Sequence, residues 1–272
     1  MAPRSLSVAL LSEVFHGPGA SDRLVQRFRD ARSGGAELVL LPELPLQPWS
    51  PATREVNDAD AEPKDGPRER TLAHAASEVG IAVIGGTIAR DPRGRRNRAL
   101  AVDHTGRVVG SYDKLHVPQE PGFWEADHYD EGDEPPRAMA SFPLRVGVQI
   151  CSDVNRPEGM HILSAQGAEA ILVPRASEPA TFDRWRLVFR ANAMTSCAYV
   201  LSVNRPCPEG GAPIGGPSIA VGPDGDVILE TMEALAVVKL EAEVVARARA
   251  DYPGYLAVRS EVYARGWTLR GD

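Results

Sequence analysis

The sequence predicts an α/β protein with a mixed sheet, or two packed sheets, covered by helices. Short, nearly uniform apolar runs alternate with stretches whose apolar residues share one helical face, and the later part of the chain adds apolar runs paired across glycine-containing turns. The chain has 272 residues, 43% hydrophobic and 25% charged, which is enough to bury a large core. No Ser/Gly/Pro-rich stretch separates independently patterned halves, so one domain over residues 1–272 is expected. No repeat of fixed period and no low-complexity tract interrupts the pattern.

Leu6 to Leu11 is a strand-forming run, after which Ser21 offers an N-cap to a helix with Leu24, Phe28 and Ala31 on one face, ended by Gly34 and Gly35. Glu37 to Leu41 reads as a strand buried on both faces and stopped by Pro42, which leaves Glu43 at its end. The charged, proline-containing cluster Asn57 to Arg70 reads as a surface loop, followed by a helix from Arg70 to Val79 that stops at Gly80. Ile81 to Ile88 is the next strand, interrupted by Gly85 and Gly86. Arg93, Arg95, Arg96 and Arg98, beside Asp91, Pro92 and Gly94, read as the solvated tip of a hairpin.

Ala99 to Asp103 and Arg107 to Tyr112 pair around His104, Thr105 and Gly106, and Lys114 lies just beyond them. Leu144 to Ile150 leads into Cys151, and a helix then runs from Pro157 and Glu158 to Gly167. Ala170 to Val173 is a strand, about Phe182 to Ser196 a helix, and Tyr199 to Val203 another strand. Ile219 to Leu229 turns through Pro223, Asp224 and Gly225, and Val237 to Leu240 closes the strand set.

The formal net charge of -7 gives no basis for a polyanionic partner, so nucleic acid is not expected. No apolar run approaches the roughly 20 residues that span a bilayer, and no basic segment followed by an apolar signal core opens the chain. Neither membrane association nor export is expected. Three cysteines, an odd number, argue against a disulfide framework and for a reducing cytoplasm. The histidines form no His-x-x-x-His pair and the cysteines no Cys-x-x-Cys pair, so no metal is expected. Without a phosphate loop or a dinucleotide fingerprint, no cofactor is expected either.

Glu43, Lys114 and Cys151 each follow an apolar strand, and in α/β folds ligands bind at the carboxyl ends of strands. Taken singly, each has a bland reading as a solvated loop charge or a small buried thiol. Together they form a chemical set. A thiol of reference pKa about 8.5 needs a base or a neighbouring cation to act as a nucleophile. Glu43 can take the proton, while Lys114 supports the thiolate and the oxyanion that forms when sulfur attacks a carbonyl carbon.

The segments LVLLPEL ending at Leu44, GSYDKLHVP ending at Pro118 and RVGVQICSDVNRPEG ending at Gly159 occur in an order and spacing that resemble the carbon–nitrogen hydrolase (nitrilase) superfamily. GAEAILVP ending at Pro174, RWRLVFRANAM ending at Met194 and AYVLSVNR ending at Arg205 extend the resemblance over most of the chain. It implies a four-layer α-β-β-α sandwich with Glu43, Lys114 and Cys151 as the catalytic core and the Ser152 backbone N–H as a second oxyanion donor. It also implies a further glutamate after the lysine. Glu125 in WEADHYDEGD fills that position, and Glu120 is its competitor. The branch indicated by Asp153, two residues after the cysteine, is that of amidases and N-carbamoyl amidohydrolases, whereas nitrilases usually carry glutamate there.

The resemblance implies hydrolysis of a carboxamide or N-carbamoyl amine without a cofactor, in a homodimer or larger assembly. His116 matches a family position and is expected to brace the catalytic loop. Trp124, with Trp49, Phe123 and Trp185, is a candidate pocket wall, and Arg175 a candidate contact for the distal end of a substrate. Cys197 and Cys207 read as packing residues. Where many relatives have an aromatic residue after the nucleophile this chain has Ser152, and where carbamoyl amino acid hydrolases have paired arginines it has Val154 and Asn155. Three rival readings stand beside the amidase: a nitrilase acting on a C≡N carbon, a non-catalytic binding protein with the same fold, and a papain-type site pairing Cys151 with His116 or His161.

Overall fold

A computed structural model describes residues 4–269. Strand β1 (Ser5–Leu11) alternates its two faces: Leu6, Val8 and Leu10 enter one buried cluster, Ala9 and Leu11 another. That two-sided burial is the physical reason for the nearly uniform apolar runs. Helix α1 (Ala20–Ser33) lays Leu24, Val25, Phe28 and Ala31 against the second cluster, and β2 (Leu38–Leu40) pairs parallel to β1. After the two-residue β3 (Ala61–Glu62) and α2 (Pro67–Val79) come β4 (Ala82–Asp91), β5 (Gly94–Val102) and β6 (Val108–Asp113). These form a sheet in the order β12, β1, β2, β4, β5, β6, with β3 on β4; β12 (Leu235–Glu241) runs antiparallel to β1.

The short helix α3 (Glu125–His128) precedes β7 (Val146–Val148), α4 (Pro157–Ala165), β8 (Ala170–Arg175), α5 (Phe182–Ser196), β9 (Tyr199–Asn204), β10 (Ser218–Val221) and β11 (Val227–Thr231). The second sheet runs β11, β10, β9, β8, β7. Both sheets contribute to a shared core, among others Leu10, Leu40 and Ile84 from the first and Val148, Leu172 and Leu201 from the second. The outer face of the first sheet packs on α1 and α2 and that of the second on α4 and α5. The architecture is therefore the four-layer α-β-β-α sandwich that the resemblance implied. Helices α6 (Ala242–Ala250) and α7 (Ser260–Thr268) follow, and α7 buries none of its residues. No helix among the described residues is long and apolar enough to cross a membrane.

Several expectations need correction. Ser21 does not cap α1; the helix starts at Ala20 after Gly19 in left-handed backbone, with no side-chain cap. Asn57 to Arg70 is not a loop, because it contains a 3-10 turn, β3 and the start of α2. Glu62 caps that helix by accepting from the N–H groups of Arg68 and Glu69, both at 2.9 Å. Gly85 and Gly86 do not break β4. A Cβ at Gly85 would lie 3.1 Å from Leu72 Cδ2 and one at Gly86 2.8 Å from Arg98 O, so these glycines permit close packing of α2 and β5. Nor are the arginines all solvated: Arg96 is buried beside Asp130, and Arg98 holds Asp113 through Nε at 2.6 Å. Cys207 is exposed and so is not a packing residue.

Candidate active site

Glu43 leaves the end of β2 behind Pro42, Lys114 follows β6, and Glu125 opens α3. Their side chains converge in a fully buried cluster. The Lys114 ammonium donates to Glu43 Oε1 at 2.8 Å and to Glu125 Oε2 at 2.5 Å, and all three side chains are inaccessible to solvent. Asn97 Nδ2, from β5, donates to Glu43 Oε1 at 2.7 Å and to the Tyr129 hydroxyl at 3.2 Å, and that hydroxyl donates to Glu125. Two carboxylate oxygens, Glu43 Oε2 and Glu125 Oε1, are buried without a partner among the described residues. An ammonium carries three donors, and here two are engaged, so one remains for a ligand. Glu120 is exposed and outside this cluster.

Cys151 opens a 3-10 turn (Cys151–Asn155) just beyond β7, with φ 46°. Left-handed backbone is disfavoured for a residue other than glycine and persists only where its surroundings hold it. Asp153 is the holder. Its buried carboxylate accepts from Ile150 N at 3.1 Å and Tyr112 OH at 2.9 Å on one oxygen, and from Leu115 N at 3.2 Å, His116 N at 2.9 Å and His116 Nδ1 at 2.9 Å on the other. This one side chain clamps the cysteine turn to the loop after Lys114. Ser152 adds a link, its hydroxyl donating to the His116 carbonyl at 2.5 Å. The thiol itself donates to the Ala176 carbonyl at 3.3 Å, beyond β8.

Burial pushes the Cys151 thiol well above its ordinary value, the charge of Glu43 adds to this, and Lys114 opposes it. The Cys151 thiol is therefore neutral at rest. Burial alone would lower the Lys114 ammonium, but Glu125 and Glu43 raise it overall, so it remains charged. Burial, with Glu43 adding, pushes Glu125 up to about 7 against the pull of Lys114. A carboxyl group that titrates near neutrality beside a buried ammonium equips the cluster to hold and move protons there.

The loop carrying Glu43 is fixed from a distance. Arg205, fully buried, donates to the carbonyls of Glu43 at 2.8 Å, Leu44 at 2.7 Å and Gln47 at 3.1 Å while pairing with Glu209 at 2.6 Å. Trp49 and Phe123 meet edge to face at 5.9 Å in a cluster with Leu44, Tyr129 and Ala176, which walls the site. Trp124 lies instead under Arg54, whose guanidinium carbon is 3.9 Å from the ring centroid. Arg175 is neither a solvated charge nor open to a substrate: it is completely buried and surrounded by Phe182, Trp185 and Phe189. His161 contacts Thr195 and His116 contacts Asp153, so neither imidazole serves the thiol as a papain-type base.

The hydrogen bond to Asp153 raises the His116 imidazole above its ordinary 6.5, with burial opposing. The associated stability is complete below the unfolded pKa and is lost as pH rises through the higher folded one. Urea unfolding at about pH 6 and about pH 8 is expected to show a small loss at the higher pH that His116→Gln abolishes, small because the ring is 44% exposed.

Sequence reasoning brought out Glu43, Lys114, Glu125 and Cys151 but missed Asn97, the clamp by Asp153 and the brace by Arg205. Asn97 and Arg205 had no signal in local pattern, since each lies inside a strand or at its end and acts on a segment far away in the chain. The family model for carbon-nitrogen hydrolases matches residues 14–250. A hydrolase of Mycobacterium tuberculosis is 30% identical over 250 residues, covering 85% of this chain and 88% of that protein. The N-carbamoylputrescine amidase of Arabidopsis thaliana is 27% identical over 288 residues, covering 98% of this chain and 95% of the relative. Among solved structures, a carbon-nitrogen hydrolase from Helicobacter pylori superposes with a TM-score of 0.82 at 17% identity, covering 98% of this chain and 99% of the other. With a family match over most of its length and the same fold in a solved member, the chain belongs to the carbon–nitrogen hydrolase family.

Proposed function

We propose that this chain, working as one domain, hydrolyses the non-peptide C–N bond of a small carboxamide or N-carbamoyl amine through a thioester on Cys151. The observation that carries the reading is the buried ammonium of Lys114 shared by Glu43 and Glu125, each of which keeps one oxygen unpartnered. The similarity to an N-carbamoylputrescine amidase supports the substrate class.

In this mechanism the Cys151 sulfur attacks the carbonyl carbon while Glu43 takes the thiol proton. Lys114, through its remaining donor, and the Ser152 backbone N–H hold the oxyanion. The C–N bond then breaks, the proton passes from Glu43 to the departing nitrogen, and ammonia or amine leaves a thioester. Water attacks the thioester, Glu43 accepts a proton from it, the C–S bond breaks, and the thiol recovers its proton. Glu125 orients the substrate through its unpartnered oxygen, and no step calls for a cofactor. His116 acts through Asp153. The unpaired cysteines suit a reducing cytoplasm. The exposed apolar residues of α5 and α7, Leu187, Met194, Tyr263 and Trp267 among them, suit self-association into a dimer or larger assembly.

Ammonia release from a panel of carboxamides, carbamoyl compounds and nitriles is the direct test. Turnover of amides or carbamoyl compounds that disappears in Cys151→Ala is expected. Turnover confined to nitriles would reject the substrate class, and a Cys151 inert to thiol reagents would favour a binding protein.

A further inference from the structure

Arg175, at the end of β8, shares with Arg205 the place of largest fully buried side chain among the described residues, and unlike Arg205 it has no carboxylate partner there. Its hydrogen-bond acceptors are all neutral: Ser202 Oγ takes Nε at 3.1 Å, the Pro217 carbonyl takes one terminal nitrogen at 2.6 Å, and Ser177 Oγ takes the other. The rings of Phe182, Trp185 and Phe189 lie 5.6, 5.7 and 5.6 Å from its central carbon. Removing a guanidinium from water without a counter-ion is costly, so a compensating field must come from elsewhere.

The main chain sets Arg175 directly behind the cluster of Glu43, Lys114 and Cys151. The Arg175 carbonyl accepts from Glu43 N at 3.4 Å, and the carbonyl of the next residue, Ala176, accepts the Cys151 thiol. With Glu125 ionised, Glu43, Glu125 and Lys114 hold one negative charge in excess, against a sulfur that must itself become negative. Arg175 carries the opposite charge and has no carboxylate of its own among the described residues. Burial lowers its pKa to about 10, with Cys151 and Glu43 opposing, so it is still a cation at neutral pH.

We propose that Arg175 is a positioning residue that acts by charge, as a second buried cation behind Ala176 that favours the sulfur anion and the oxyanion in the reaction at Cys151. The proposal rests on Cys151 being the nucleophile. A merely structural Arg175 would tie β8 to β9 and to the segment around Pro217, and its loss would reduce stability without changing the chemistry of the thiol.

The test is the pH dependence of Cys151 alkylation by iodoacetamide, read by mass spectrometry on the folded protein, in Arg175→Met and Arg175→Lys. In Arg175→Met the profile should move to higher pH by about one unit, seen as alkylation roughly tenfold slower at neutral pH. Arg175→Lys should restore most of the rate. If Arg175→Met does not fold, Ser202→Asp supplies the second variant: it keeps the arginine but sets a carboxylate against Nε, and the same shift is expected. An unshifted profile in either folded variant would overturn the proposal. If wild-type Cys151 resists alkylation at every pH, the failure lies with the nucleophile assignment instead.

Discussion

A Lys114→Met variant is expected to lose at least about a thousandfold in kcat/KM, because in the proposed mechanism one residue supplies the charge that supports both the nucleophile and the oxyanion. The same substitution should destabilise the fold by about 3–5 kcal/mol at alkaline pH, since it leaves buried carboxylates without their cation. The loss should depend on pH in a definite sense. Glu125 already stands at about 7 against an ordinary 4.5, and removing Lys114 takes away the main influence holding it down. A carboxyl group whose folded pKa lies above its unfolded one loses stability as pH rises between the two. The deficit should therefore be smallest near pH 4.5 and grow through neutrality, which urea unfolding across that range would show. A deficit independent of pH would mean that Lys114 contributes packing alone.

Asp153→Asn should have the second largest effect, although Asp153 touches neither Glu43 nor Lys114. Its carboxylate receives five donors, and an asparagine presents an NH2 group to one of the two sets. The buried donors left facing it should cost roughly 2–4 kcal/mol, measurable by thermal or urea unfolding. Because the clamp aligns the cysteine turn with the loop after Lys114, kcat should fall by about a hundredfold while KM changes less. Tyr112→Phe removes one donor and leaves the carboxylate intact, so it should lose only about 1 kcal/mol and little activity. Equal losses of kcat in the two variants would reject the alignment role.

These two residues also mark how far the sequence could be read. Lys114 was legible because it follows an apolar strand and belongs to a set whose chemistry is complete, and Glu125 because the motif around it matched a family pattern. Asp153 was noticed only as a marker of the amidase branch; its work depends on Tyr112, Leu115 and His116, from a distant segment. Arg96 and Arg98 were misread as solvated because Asp130 and Asp113, which pair with them, are remote in the chain. Strand positions came through well where both faces are buried. The starts of α4 at Pro157 and of α5 at Phe182 came through as well, whereas those of α1 and α2 did not, since α1 begins after Gly19 without a side-chain cap and the first N–H groups of α2 are taken by Glu62, outside the helix. The helices after β12 were not read from the sequence: α6 buries only Val245 and α7 none of its residues.

The two sheets contribute unlike parts: Glu43 and Lys114 follow the ends of strands in one, Cys151 and Ala176 the ends of strands in the other. Neither half on its own can assemble a competent centre. Any slippage between these two slabs would separate Cys151 from Glu43 and Lys114 while every strand remained paired with its neighbours, so turnover is expected to be a more sensitive gauge of their docking than circular dichroism.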